Sequence, residues 1–177
     1  MLEPTKGRIT TKGVIAPLIN LGAGFDMEAN AKDNIFLNGA ILGFSKKEME
    51  QKFDSIVEFS ELKEYMQVPL KNFSSGMLAR LGFAIAVAIE PDILIVDEVL
   101  EVGDNNFKLK CQEKINQLKQ KGVTFIIVSH DINKIKNMCT HALWLKNGRI
   151  HEYGKANTVA EHYMEDCEKE RLENIKK

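Results

Sequence analysis

A chain of 177 residues with 44% hydrophobic and 28% charged side chains has enough apolar material for one buried core, which excludes the weakly apolar composition of disordered segments. Its formal net charge of -1 excludes a broadly basic surface, so no nucleic-acid partner is expected. The cysteines Cys111, Cys139 and Cys167 form no short pair; this argues against a zinc knuckle or a disulfide framework and for a reducing cytoplasm.

No run reaches the ~20 apolar residues that span a bilayer. The longest, Phe83 to Ile89, stops at Glu90-Pro91, and the stretch from Met1 to Gly7 has no apolar centre of a signal peptide. Any service to a membrane is expected from its cytoplasmic face, peripherally and through a partner.

Two short strands are expected first, Arg8-Ile9-Thr10 and Val14-Ile15-Ala16, around a Lys12-Gly13 turn. The glycine-bearing stretch Asn20 to Phe25 breaks the pattern. From about Ala29 to Tyr65 the apolar spacing (Ile35, Leu37, Ile41, Leu42, then Met49, Phe53, Ile56, Val57, Phe59) predicts several helices, interrupted near Gly43-Phe44-Ser45 and closed by Pro69. Asn72-Phe73-Ser74-Ser75-Gly76 leads into a strongly apolar helix, with a serine as N-cap and Pro91 as stop. Asp92 to Asp97 holds a short strand of the type buried on both faces of a parallel sheet. A helix over about Asn105–Gln120, ended by Gly122, precedes a second such strand, Val123 to Val128. A helix at about Ile132–Met138 leads to a hairpin, Ala142–Lys146 and Arg149–Tyr153, turned by Asn147-Gly148. A charged helix over about Asn157–Asn174 ends the chain. Alternating strands and helices in the second half predict an α/β fold with a mostly parallel sheet.

Asp97 and Glu98 lie just past a strand of that sheet, where such sheets bind ligands. One reading gives Asp97 a magnesium ion, a cation that prefers hard oxygens and keeps water, and gives Glu98 the general-base role toward an attacking water. The other is a strand end with two solvated acids. His130 ends the next strand, either to sense a phosphate or as part of a helix-capping Ser129-His130-Asp131 turn. Ser74, Ser75, Gly76 and Met77 open a helix, and helix N-termini bind phosphate through backbone N–H groups as readily as they take an ordinary cap.

Taken together these pieces resemble the ATP-binding-cassette (ABC) family. Gly76 precedes Asp97 by 21 positions, and His130 closes the following strand. Phe73-Ser74-Ser75-Gly76-Met77 falls where that family carries its Leu-Ser-Gly-Gly-Gln signature; Ile93 to Glu98 resembles its Walker B strand, Asp104 its D-loop aspartate, and His130 its switch histidine. Asn20, before Leu21-Gly22-Ala23-Gly24-Phe25, falls at the Q-loop, where most members carry glutamine or a carboxylate. The Phe-Ser-Ser-Gly-Met signature, the proline-free Val99 to Asp104 and the Q-loop region resemble the members that export O-antigen, capsular polysaccharide or wall teichoic acid.

The resemblance implies a partial P-loop NTPase fold over residues 1–177: an α/β core at 1–28 and 91–156, a helical lobe with the signature at 29–90, and a C-terminal helix at 157–177. It implies ATP with Mg2+, a second ATPase subunit docked head to tail, and an integral membrane permease. The nucleotide-binding set would be Ser74, Ser75, Gly76, Met77, Asp104 and Asn20, with Glu98 and His130 catalytic and Asp97 on the metal. No Gly-x-x-x-x-Gly-Lys-Ser/Thr occurs among these residues, so the 177 residues alone are expected not to hydrolyse ATP. Two alternatives stay open: a non-catalytic cassette offering only its signature to a partner, and the ATPase of another ABC class, including soluble members. Met49, Met66, Met138 and Trp144 read as packing; His141, His151 and His162 have no ligand spacing.

Overall fold

The computed structural model describes residues 4–18, 22–97 and 103–175. The chain divides into two compact units, Met1–Ile126 and Ile127–Lys177.

The first unit opens with β1 (Ile15–Pro17) and continues through α1 (Ala31–Ile41), α2 (Lys46–Ser60), α3 (Ser75–Ala88), β2 (Ile93–Asp97), α4 (Asn105–Gln120) and the start of β3 (Thr124–Val128). The sheet order is β1-β2-β3. β1 pairs parallel with β2, Ile15 opposite Ile93 and Pro17 opposite Ile95. Asp92 fastens the entry to this pair. Its carboxylate accepts from the Val14 N–H at 2.7 Å, and a Cβ on Gly13 (φ +96) would lie 2.6 Å from its Cγ, so only glycine fits there. The strand expected at Arg8-Ile9-Thr10 does not form. These residues pair with nothing strand-like and Ile9 is 72% exposed; three residues with one apolar side chain bury too little to offset their ordering.

Caps set the helix starts. Asn30 accepts from Asp33 N–H at 2.8 Å to begin α1. Ser45 and Glu48 form a reciprocal capping box on α2, which breaks from α1 at the expected glycine. α2 ends at Glu61, in a left-handed conformation. Phe59 of α2, Phe83 of α3 and Phe107 of α4 then meet, with ring centroids 5.7–6.4 Å apart. Phe83 and Phe107 are fully buried, and each ring so buried stabilises by about 1.5–3 kcal/mol. The stripe Phe107, Cys111, Ile115 and Leu118 is the buried face of α4.

The two apolar strands differ. In β2 one face, Leu94 and Val96, is buried, while Ile93 and Ile95 on the other are half-buried, so the burial on both faces that the sequence predicts is met on one. β3 alternates between exposed and half-buried residues, with Ile126 and Val128 well exposed, which corrects the expectation of a second fully covered strand. Among the described residues β3 is an edge strand with β2 on one side alone, so its apolar run stays open to solvent.

The second unit holds α5 (Ile132–Met138), the antiparallel hairpin β4 (His141–Lys146) and β5 (Arg149–Lys155), and α6 (Ala156–Ile175). Asn147 and Gly148, both at positive φ, make the turn. Trp144 is buried against α6, edge-on to Tyr163 at 5.3 Å, and Lys146 reaches Asp166 at 2.5 Å and Glu170 at 2.9 Å. Among the described residues no helix is long and apolar enough to cross a membrane.

Candidate functional site

Ser74 is the N-cap of α3. It is extended (φ -69, ψ 160), and its hydroxyl accepts from the Met77 N–H at 3.2 Å. Phe73, immediately before it, is buried and edge-on to Tyr65 at 6.2 Å, which anchors the turn while Ser74 and Ser75 face solvent. Around Gly76 a Cβ would meet one atom only, Ser74 Oγ at 3.8 Å. The start of α3 is therefore open beside Gly76 and lies at the positive end of a helix of 14 residues, an arrangement suited to an incoming anion.

Asp97 is the last residue of β2 and half-buried. Glu98, its expected catalytic neighbour, lies outside the described residues, as does Asn20. Among the described residues no group of three or more His, Cys, Asp or Glu could hold a metal ion. A single carboxylate is nonetheless a fitting donor for magnesium, which takes one or two carboxylates and fills its sphere with water and phosphate oxygens.

Asp104 caps α4, accepting from Phe107 N–H at 3.0 Å. That backbone hydrogen bond, followed by the nearby Arg80 charge, holds its carboxyl below the usual aspartate range. Arg80, on α3, bonds it directly: one guanidinium nitrogen lies 2.5 Å from Asp104 and the other 2.9 Å from Glu61. The structure thus links α3, which Ser74 caps, to Asp104, two of the places the sequence singles out.

His130 belongs to the second unit and is exposed. The flanking residues do form the capping turn foreseen for them. Ser129 Oγ accepts from Asp131 N–H at 3.1 Å, and Asp131 accepts from Asn133 and Lys134 N–H at 2.9 and 3.2 Å.

Sequence reasoning missed two residues. Asn34 is fully buried in α1; it accepts from Asp26 N–H at 2.7 Å and donates to Asp26 and Asn30 carbonyls at 2.8 and 2.9 Å. It thereby ties the stretch around Asp26 to α1. The available signal was a polar side chain beside Ile35, on the face that must be buried. Arg80 had a similar one, a lone charge in the apolar run from Met77 to Ile89.

No family model matches the chain. It is 44% identical over 165 residues to the O-antigen export system ATP-binding protein RfbB of Klebsiella pneumoniae, covering 93% of this chain and 67% of that protein. It is 42% identical over 160 residues to the teichoic acids export ATP-binding protein TagH of Bacillus cereus, covering 90% of this chain and 29% of that one. The ABC transporter protein AbcA of Aeromonas salmonicida is 39% identical over 163 residues, covering 92% of this chain and 53% of AbcA. Among solved structures, the ATP-binding subunit of an ABC transporter superposes with a TM-score of 0.70 at 21% identity, over 84% of this chain and 62% of that one. A dimeric ATP-binding cassette in a post-hydrolysis state with ADP and Pi gives 0.62 at 20% identity, over 81% and 63%; both share the α/β fold of the P-loop NTPases. With a relative 44% identical over two thirds of that protein's length, the chain belongs to the ATP-binding-cassette ATPases.

Proposed function

We propose that these residues work as the larger part of an ATP-hydrolysing cassette that drives a membrane permease, from the cytoplasmic face, in exporting a cell-surface polysaccharide such as O-antigen or teichoic acid. The observation that carries the reading is the open, serine-capped start of α3, in the same unit as Asp97 at the carboxyl end of β2.

In a head-to-tail dimer, Ser74–Met77 would offer backbone N–H groups and the Ser74 hydroxyl to the γ-phosphate held by the partner subunit. Asp97 would be the protein's carboxylate ligand to magnesium, and Asn20 would lie at the nucleotide's edge. Magnesium bound with ATP supplies charge neutralisation on the phosphates. Glu98 would accept the proton of the attacking water, while His130 would donate to the γ-phosphate and register its departure. The stretch held by Asn34 and the outer face of α1 leave Met27 (40%), Leu37 (41%) and Ile41 (60%) exposed, apolar surface suited to a short permease helix.

The reading requires a phosphate-cradling loop from outside residues 1–177, since none of the required spacing occurs within them. In the intact ATPase, residues 1–177 together with a P-loop, Glu98→Gln should keep ATP binding and slow hydrolysis roughly 10²–10⁴-fold, the usual worth of a general base. In the same assay the 177 residues alone should release no phosphate. Near-normal turnover by the Glu98 variant, or steady turnover by the chain alone, would remove the catalytic assignment.

A further inference from the structure

We infer that Arg80 is a positioning residue that locks the start of α3 to Asp104 and to the end of α2, so that the signature and the D-loop side of the cassette move as one body. The inference rests on the functional reading above, because it concerns how Ser74–Met77 meet a phosphate.

Three contacts converge on one guanidinium. Arg80 bonds Asp104 at 2.5 Å and Glu61 at 2.9 Å, and it lies 4.7 Å above the Phe107 ring. Its side chain is 18% exposed, whereas those of Glu61 and Asp104 are 50% and 63% exposed. Glu61, at positive φ where α2 ends, also receives Lys110 of α4 at 3.0 Å, and Lys110 in turn donates to the Phe59 carbonyl at 3.0 Å. Gly103 closes the other side. It has φ +79, and a Cβ there would lie 3.2 Å from Phe107 Cβ and 3.4 Å from Arg80 Nε. A larger residue there would be strained at that φ and would press on the Phe107 side chain over which the guanidinium lies.

Arg80 sits six residues beyond Ser74 in one continuous helix, about 9 Å along its axis. A tilt at Arg80 is therefore passed rigidly to the exposed N–H groups at the helix start. Ion pairs with carboxylates this exposed add little to stability. What they add is geometry: a planar fork takes two carboxylates at once and lies flat on a ring, which an ammonium cannot do. Catalysis by positioning is sensitive to such errors, since a misplacement of about 1 Å can cost on the order of 10²-fold in rate.

The test uses the intact ATPase carrying Arg80→Met, Arg80→Lys or neither substitution, with kcat, KM, Tm and ATP-dependent dimerisation in a Glu98→Gln background as readouts. Arg80→Met should lower kcat by tenfold or more, leave KM within about threefold, and raise the ATP concentration needed for dimerisation, with Tm falling by about 4 °C or less. Arg80→Lys keeps the charge and loses the fork, so its kcat should fall between the two. A purely structural role would lower Tm and the folded fraction while kcat per folded molecule stayed at the unsubstituted value, and that result overturns the inference. Should Arg80→Met not fold, Arg80→Lys decides alone: unchanged kcat and dimerisation overturn the inference. If the unsubstituted ATPase neither hydrolyses nor dimerises, the functional reading falls first and this inference falls with it.

Discussion

Gly39→Ala is the substitution whose sign the structure decides most sharply. Gly39 is buried in α1 where it faces α2, and an added Cβ would lie 2.5 Å from Met49 Sδ and 2.9 Å from Met49 Cε. Alanine gains roughly 1 kcal/mol over glycine in a helix interior. Against that, Met49 is fully buried, so it can only yield by leaving its rotamer or by pushing α2 away, an overpacking cost of about 1–3 kcal/mol. The helices cannot separate freely either, since Phe36 and Phe53 stack at 5.8 Å. The balance is a destabilisation between zero and about 2 kcal/mol, read by urea unfolding of the chain followed by circular dichroism. Met49→Ala alone should cost about 2–5 kcal/mol. On that background Gly39→Ala finds room and should turn stabilising by up to about 1 kcal/mol, a sign change that a double-mutant cycle isolates. Equal effects in both backgrounds, or a stabilised single mutant, would refute the close approach of α1 and α2.

Cys111 is buried and its thiol is pushed up to about 12 by that burial. Relative to an ordinary thiol near 9.0 its thiolate is about 10³-fold scarcer at neutral pH, so the native chain should alkylate at exposed Cys167 well before Cys111; mass spectrometry of an iodoacetamide time course reads the order, and equal rates would contradict it. His162 Nδ1 lies 3.0 Å from Glu152 Oε2, and that hydrogen bond raises the imidazole above its usual 6.5. A raised folded value means the contact contributes fully below 6.5 and is lost as pH climbs through that raised value. Tm should therefore decline over that window, and His162→Gln should flatten the decline; an unaltered profile would exclude the pair.

What the sequence made legible was local. The break near Gly43-Phe44-Ser45, the cap at Ser74, the Asn147-Gly148 turn and the stop at Gly122 depend on neighbours a few residues away, and each stands where the local pattern puts it. The candidate site was legible for the same reason, as Ser74, Asp97 and Asp104 all mark ends of elements. Contacts between distant residues were not. Nothing near Arg80 in the chain announces Asp104, 24 positions on, and nothing near Gly13 announces Asp92, 78 positions from Val14. β3 failed in another way. An apolar pentapeptide reports what a strand could bury, not how many neighbours the sheet gives it.

These distant contacts share a pattern that bears on the proposed chemistry. The stretch around Asp26 is held by the buried Asn34 amide, the entry to β1 by the Asp92 carboxylate, and the turn before α4 by the Arg80 guanidinium. In each case a polar side chain grips the backbone or the helix cap at the edge of a loop or strand, and for Asn34 and Arg80 that edge adjoins a residue proposed to bind nucleotide. Phosphoryl transfer asks a protein for little covalent chemistry and for much placement. A cassette built for it would concentrate specific polar contacts at the flanks of its working loops, leaving the remaining loop atoms to meet phosphate, magnesium and a partner subunit. Ordinary apolar packing cannot substitute there, because it fixes distance without fixing direction, whereas a hydrogen bond fixes both. On that reasoning the supports should tolerate substitution worse in turnover than in stability, the opposite of the order expected for the Phe59, Phe83 and Phe107 cluster.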